Sequence, residues 1–368
     1  MDALIQRIGR AVKEAARSRR SDWWYTPHMA AASRAIADRL RLVDIVLEVR
    51  DARIPLSSEC PQLRKLPSST RRLVVLNKID LANPSWTKEW MTFFEEQKWM
   101  VFGVNSHNRE NIRKFLTFLQ ARVRELEKTD DLHRTITLML VGIPNVGKSA
   151  LANSLHQVGR ISAAEKGRLR RSVVSPHPGE TKNITSLKIA SHPSVYVLDT
   201  PGVLPPYLTD NQVGSKLALT GAIKDSLVGE INLARYFLSV LSSSDEYKKW
   251  ENLNLSNGVL ANEGSPDLGR RQRRQLQTDH TQDAIVNGVR RALYETISSS
   301  SFSGHGEEDL SALMKVFHVE SSQPNNSNTT TNNNRTTAIK LLNLFRTGRL
   351  GHYTLDHLPT EIFPCVST

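Results

Sequence analysis

Gly142-Ile143-Pro144-Asn145-Val146-Gly147-Lys148-Ser149 matches the pattern G-x-x-x-x-G-K-[ST]. The apolar run Thr135–Val141 precedes it and the helix-compatible Ala150–Gln157 follows. Strand, glycine turn and helix in that order form the setting in which such a stretch holds phosphate, and a chance strand-turn-helix seldom meets every position. The spacing has a chemical reason. Backbone N–H groups from Asn145 to Ala150 point at the phosphates around a tight turn at Gly147. Lys148 reaches the β and γ oxygens, and the Ser149 hydroxyl ligates Mg²⁺.

Working backward, Asn77-Lys78-Ile79-Asp80 follows the β-rich run Leu73–Leu76. Ligands of open parallel sheets bind beyond such strand ends. Asp80 can accept from N1–H and the exocyclic amine of guanine, which adenine does not offer. Asn77 either meets the base oxygen or ties its loop to the phosphate loop, and the Lys78 stem lies over the base plane. Four residues are a weak signal alone and a strong one beside a phosphate loop. After a helix over Trp86–Gln97 and a strand over Trp99–Val104, Asn105-Ser106 is expected to supply a backbone contact to the base oxygen, although His107 stands where a small residue is usual.

Working forward, the basic stretch Arg160–Val174 leads to Pro178-Gly179-Glu180-Thr181. The Thr181 hydroxyl is expected to complete the Mg²⁺ shell only when a γ-phosphate is present. Ile184–Ile189 and Val195–Leu198 read as paired strands, the second ending in Asp199-Thr200-Pro201-Gly202. Asp199 holds Mg²⁺ through water and the Gly202 N–H meets the γ-phosphate.

The motifs therefore run in the order base-reading, phosphate loop, threonine, D-x-P-G. Ordinary small GTPases place the phosphate loop first, so the chain resembles circularly permuted GTPases. With Asp51-Ala52-Arg53-Ile54-Pro55 and the start Trp23-Trp24-Tyr25-Thr26-Pro27-His28-Met29, it is similar to the ribosome-biogenesis GTPase A and mitochondrial ribosome-associated GTPase family, above all its plant mitochondrial DAR GTPases. The resemblance covers Trp23 to Leu204 well and the remainder more loosely. It implies an α/β fold: a mostly parallel sheet with helices on both faces, plus a C-terminal helical domain. GTP is the expected substrate and GDP the product, with Mg²⁺ and, through Asn145, K⁺. The expected partners are a large ribosomal subunit precursor, its rRNA and ribosomal proteins, with a peripheral membrane contact and a monomeric state off the ribosome. The expected location is the mitochondrial matrix or inner-membrane face, with cytoplasm or chloroplast as alternatives.

Two positions bear on catalysis. Where Ras-like GTPases carry a water-orienting Gln, this chain has Val203, in keeping with the family's hydrophobic residue there. The resemblance assigns the water to His28, while its position at a helix start allows a plain capping role. Pro27 occupies the place of the family's Gly in this segment. The expected catalytic set is His28, Lys148, Thr181 and Gly202. A nucleotide-dependent RNA-binding scaffold without useful hydrolysis is the competing class.

The chain has 368 residues, 39% of them hydrophobic, and a net charge of +12. It is long enough for two or three domains, and such a charge without an apolar run of membrane length points to a nucleic-acid partner. Cys60 and Cys365 are the only cysteines, which excludes a disulfide framework or a cysteine metal site. Residues 1–22 form a basic amphipathic segment with two readings, a targeting signal or an RNA-contacting arm. Residues 23–207 form the GTPase domain. The resemblance implies a helical RNA-binding domain over residues 208–368, with disordered insertions expected near 242–281, which includes Arg270-Arg271-Gln272-Arg273-Arg274, and near 321–337. Helices are expected over Thr209–Ile223, Asn232–Leu241, Asp283–Ile297 and Ala338–Arg346, followed by a basic turn at Gly348–Gly351.

Overall fold

The computed structural model describes residues 1–17, 27–65, 71–130, 135–162, 172, 174, 178–179, 181, 183–205, 208, 210–254, 284–298 and 327–359. The Trp23-Trp24-Tyr25 run, the Arg270–Arg274 cluster and most of Arg160–Val174 lie outside them. The aliphatic, β-branched runs form six strands: β1 (Ile45–Asp51), β2 (Arg72–Asn77), β3 (Met100–Val104), β4 (Ile136–Val141), β5 (Thr185–Ser191) and β6 (Ser194–Asp199). They make one sheet of order β3-β2-β1-β4-β6-β5, parallel throughout except for the antiparallel β5–β6 pair. Every residue of β1 is buried, as expected of a central strand covered on both faces. From β1 the chain steps outward to β2 and β3, then returns to β4 on the other side of β1. The reversal opens a crevice beyond the strand C-termini.

Among the described residues the α-helices are α1 (Asp2–Arg17), α2 (Pro27–Leu40), α3 (Pro84–Glu96), α4 (Arg109–Asp130), α5 (Lys148–Ser162), α6 (Asn211–Leu219), α7 (Glu230–Ser242), α8 (Ala284–Ser298) and α9 (Ser327–Arg346). Local chemistry sets several of their starts. Pro27 opens α2, where its missing N–H costs nothing. Asn83 caps α3 by accepting from Ser85 N (3.0 Å) and Trp86 N (3.3 Å). Two compact units result: residues 12–224 with 353–368, and residues 1–11 with 225–352.

The sheet-bearing unit carries two apolar clusters side by side on the one sheet face that Val46, Met139 and Val141 share with Val74 and Leu76. Ala32, Ile36 and Leu40 of α2 meet Val46, Met139, Val141 and Val203 in one. Trp90 and Phe94 of α3 meet Ala52, Val74 and Leu76 in the other. A buried ionic group pins β1 to β2. Glu48 accepts from Arg50 Nη2 (3.1 Å), Arg72 Nε (2.9 Å) and Cys60 N (2.9 Å). Burial alone would raise the Glu48 carboxyl, but Arg50 and Arg72 hold it below its usual value.

In the helical unit, Phe237 of α7 packs on Phe345 of α9 with ring centroids 4.7 Å apart. Arg346 forms a bidentate pair with Asp225 at 2.7 and 2.8 Å. Two stretches differ from the sequence expectation. Helix α9 begins at Ser327, inside the segment 321–337 expected to be disordered, well before Ala338. Asn and Thr are weak helix formers, but buried Thr337, Ala338, Leu341, Leu342 and Phe345 anchor the helix, and Arg335 pairs with Glu230 at 2.8 Å, so tertiary contacts override propensity. Within the expected insertion 242–281, Tyr247–Asn254 forms a 3-10 turn held by buried Trp250, over which the Arg290 guanidinium sits 5.9 Å from the ring centroid.

Helix α1 keeps its amphipathic character but is packed: Leu4, Ile5, Ile8 and Val12 are buried, while Arg7 and Arg10 are exposed. The apolar stripe of the basic segment therefore belongs to the core. Ile8→Ala is expected to cost about 2–4 kcal/mol in urea unfolding of the full chain, whereas Arg7→Ala should stay within about 0.5 kcal/mol. Equal midpoints for the two variants would show that α1 contributes no packing.

Candidate functional site

The C-terminal ends of β2, β4 and β6 deliver Asn77, Gly142 and Asp199 to the same crevice, since all three strands run parallel. The chain then folds tightly into α5. Gly147 has φ +93, and a Cβ there would fall 2.3 Å from Asn77 Nδ2, so only glycine fits the turn. Asn145 also takes a positive φ, 60°, which asparagine tolerates. Val146 is buried below the turn and Ala150 lies in the first turn of α5.

Lys148 is buried, with Nζ donating to the carbonyls of Gly142 (3.0 Å) and Ile143 (2.8 Å). Burial pushes its pKa down to about 8, against the attraction of Asp199. A phosphate supplies the negative charge this ammonium needs in so dry a setting.

The Ser149 and Thr181 hydroxyl oxygens are 3.1 Å apart. Asp199 is fully buried, and among the described residues no donor meets either carboxylate oxygen in hydrogen-bonding geometry. Burial pushes its carboxyl up despite the nearby Ser149 hydroxyl and Lys148 charge. Two hydroxyls beside an orphaned buried carboxylate fit a hard divalent cation such as Mg²⁺. Gly202 follows, and a Cβ on it would lie 2.5 Å from Pro144 Cα, so this glycine lets the D-x-P-G turn press against the phosphate loop. Val203 is buried in the core beside Ile36 and Met139.

Of the two roles open to Asn77, the geometry realises the second. Its Nδ2 donates to Val146 O (2.8 Å) and its Oδ1 accepts from Ser106 Oγ (2.7 Å), joining base-reading loop, phosphate loop and β3 loop. Ser154 Oγ of α5 in turn donates to the Ser106 carbonyl at 2.7 Å. The Asn105 side chain accepts from His107 N (2.8 Å), which shapes that loop from within. Lys78 has φ 62, and its Nζ donates to Asp51 Oδ2 (2.9 Å) and to the Asn145 carbonyl. Asp80, at the tip of the same turn, is exposed.

Asp51 was visible in the sequence only as part of a signature stretch, with no role. It lies beside Asn77 in the β1–β2 register, accepts from Arg53 at 2.8–3.1 Å through N, Nε and Nη2, and also holds Lys78. Burial would raise its carboxyl, but Arg53 and Lys78 outweigh that and hold it far below the usual carboxylate range. Gly221 is the other residue without a sequence signal: its carbonyl accepts from Asn145 Nδ2 at 2.7 Å. Long-range pairings of this kind leave no local pattern to read.

His28 lies on the exposed first turn of α2, away from the buried set. A side chain at Gly179 would meet Met29 Cε at 3.9 Å, so the start of α2 adjoins the segment leading to Thr181.

Comparison with known proteins places these features in a family. The family described as 50S ribosome-binding GTPase matches residues 137–255. DAR GTPase 2, mitochondrial, of Arabidopsis thaliana is 52% identical over 369 residues, covering 96% of this chain and 95% of that protein. Short integuments 2, mitochondrial, of the same plant is 40% identical, covering 91% and 89%. Ribosome biogenesis GTPase A of Bacillus pumilus is 34% identical, covering 60% and 75%. With base-reading and phosphate loops joined on one sheet in permuted chain order, and identity that runs almost end to end, the protein belongs to the circularly permuted GTPases of the ribosome-biogenesis GTPase A and mitochondrial DAR GTPase family.

Proposed function

We propose that the protein hydrolyses GTP in the mitochondrion and uses the cycle to gate its attachment to a large ribosomal subunit precursor. The observation that carries this reading is the direct bonding of the base-reading loop to the phosphate loop through Asn77 and Lys78. Relatives named for ribosome biogenesis supply the biological setting, and the net charge of +12 suits an rRNA partner.

The residues divide the work as follows. Asp80 selects guanine by accepting from its N1–H and exocyclic amine, and Ser106 with Asn105 shapes the wall around the base oxygen. Backbone N–H groups from Asn145 to Ala150 and the Lys148 ammonium receive the phosphates. Ser149 and Thr181 would hold Mg²⁺, with Asp199 reaching it through a water, and the cation would supply positive charge to the phosphate oxygens. Asn145 would help hold K⁺, which would supply positive charge where other GTPases use an arginine finger. The Asn145 amide donates its Nδ2 to the Gly221 carbonyl, which fixes this side chain at the phosphate loop.

Hydrolysis also needs a group that orients the attacking water. Val203 is apolar and packed in the core, so it takes no part. His28 fills the role: it stands on the helix turn that adjoins Gly179, and a neutral imidazole accepts from water. Its exposed resting position is compatible with a contact completed on the ribosome. Rim contacts with rRNA fall to the helical unit, and monomeric behaviour off the ribosome follows from the reading.

Three outcomes are expected. Asp80→Asn moves preference from GTP toward xanthosine triphosphate by about 10²-fold in relative affinity; guanine selectivity unchanged in competition binding removes Asp80 from the base site. Turnover is faster in KCl than in NaCl at matched ionic strength, and equal rates sink the cation role of Asn145. His28→Ala lowers ribosome-stimulated turnover about 10²-fold with GTP affinity unchanged. A rate in the wild-type protein that added large subunits do not alter favours the scaffold reading instead.

A further inference from the structure

The chain beyond α9 ends its described course in a short strap, residues 353–358, that has no regular secondary structure yet is largely buried: Tyr353, Leu355 and Asp356 are 4%, 8% and 3% exposed. Chain ends are usually loose unless something ties them down. Here the ties converge on the segments that carry the base-reading residues.

On one side, Tyr353 N donates to Leu81 O (3.2 Å) and Thr354 Oγ1 accepts from Asn83 N (3.3 Å), both in the residues directly after Asp80. On the other, Leu355 N donates to Arg53 O (2.7 Å), on the residue whose guanidinium holds Asp51 and, through it, Lys78. Asp356 fixes the strap in place. Its Oδ2 accepts from Leu56 N (2.9 Å) and Ser57 N (2.7 Å), and its Oδ1 from Ser57 Oγ (2.6 Å) and Lys216 Nζ (2.9 Å). Leu358 packs on the cluster of Trp90, Phe94 and Leu76, and the His357 ring meets Trp86 edge-on with centroids 6.2 Å apart.

Four donors converge on one buried carboxylate from positions 140 to 300 residues away in the chain. Lys216 lies on α6, which leads to Gly221 and so to Asn145 of the phosphate loop. From these contacts we infer that Asp356 is a positioning residue, and that the strap it pins clamps the guanine-reading turn and sets how long a guanine nucleotide stays bound. The clamp acts on Asp80 through Leu81 and Asn83, and on Lys78 through Arg53 and Asp51. This inference rests on the GTPase reading above.

The test uses the full chain and stopped-flow release of fluorescent GDP and of the matching inosine diphosphate, whose base lacks the exocyclic amine that Asp80 accepts. Asp356→Ala should speed GDP release about 10-fold and inosine diphosphate release much less, so that the ratio of the two rates narrows. Ser57→Ala, which removes a single donor and leaves the fold intact, should move the ratio the same way by a smaller factor. Circular dichroism and thermal melting accompany both variants. Equal acceleration of the two nucleotides, or unchanged release from a folded variant, overturns the clamp and leaves Asp356 as packing alone. If the wild-type protein itself fails to distinguish GDP from inosine diphosphate, it is the assignment of Asp80 that fails, a separate result from loss of the clamp.

Discussion

A buried carboxylate at the end of a central strand holds the site together. Asp51 is 2% exposed and sits where β1 ends, so its charge has to be met by the protein itself. Arg53 meets it within the same turn, and Lys78 meets it from the neighbouring strand. Lys78 then passes the constraint to the Asn145 carbonyl, while Asn77 bonds Val146 O alongside. Removing either cation would strip Asp51 of part of the compensation its buried charge requires, a destabilising change. The base-reading and phosphate loops consequently behave as one rigid piece, and the distance between base and phosphates is set before any nucleotide arrives.

That arrangement explains how the permuted order works. The contacts between motifs are spatial, made at the C-terminal ends of parallel strands, and are indifferent to which strand comes first in the chain. What permutation changes is where the chain goes next. After Gly202 the backbone enters the buried Val203-Leu204 pair and proceeds to α6, whose following turn returns through the Gly221 carbonyl to Asn145. The D-x-P-G turn thus touches the phosphate loop at Pro144 and, by way of α6, again at Asn145. In an unpermuted GTPase the strand after this turn would continue into the base-reading half of the sheet. Here the chain leaves the sheet after this turn and runs on through α6.

Catalytic economy follows the same logic. The residue after Gly202 is used for packing, between α2 and the sheet, and is unavailable for water. The first turn of α2 is exposed, adjoins Gly179, and bears His28. Ile36 and Leu40 hold this helix to the sheet, leaving its N-terminus beside the segment that leads to Thr181.

The sequence by itself determined the element types, the chemistry of the loops and the family. Gly147, Lys148, Ser149 and Asp80 stand in short, local patterns, and the roles proposed for them rest on the fixed spacing that phosphate and guanine would impose on residues touching them. It also determined the positions of most strands and helices to within a few residues, since burial on both faces demands unbroken aliphatic runs. Tertiary structure alone decided the rest. The choice between two partners for Asn77 depended on where Val146 and Ser106 lie, and the role of Asp51 depended on the register of β1 against β2. The Asn/Thr-rich start of α9 and the packing of α1 were decided by apolar anchors elsewhere that outweigh local propensity. Asp356 collects its donors from Leu56, Ser57 and Lys216, positions that become neighbours only when the sheet-bearing unit closes around the end of the chain. Local patterns record what a ligand requires of adjacent residues; contacts across hundreds of residues are made by topology and leave no spacing to read.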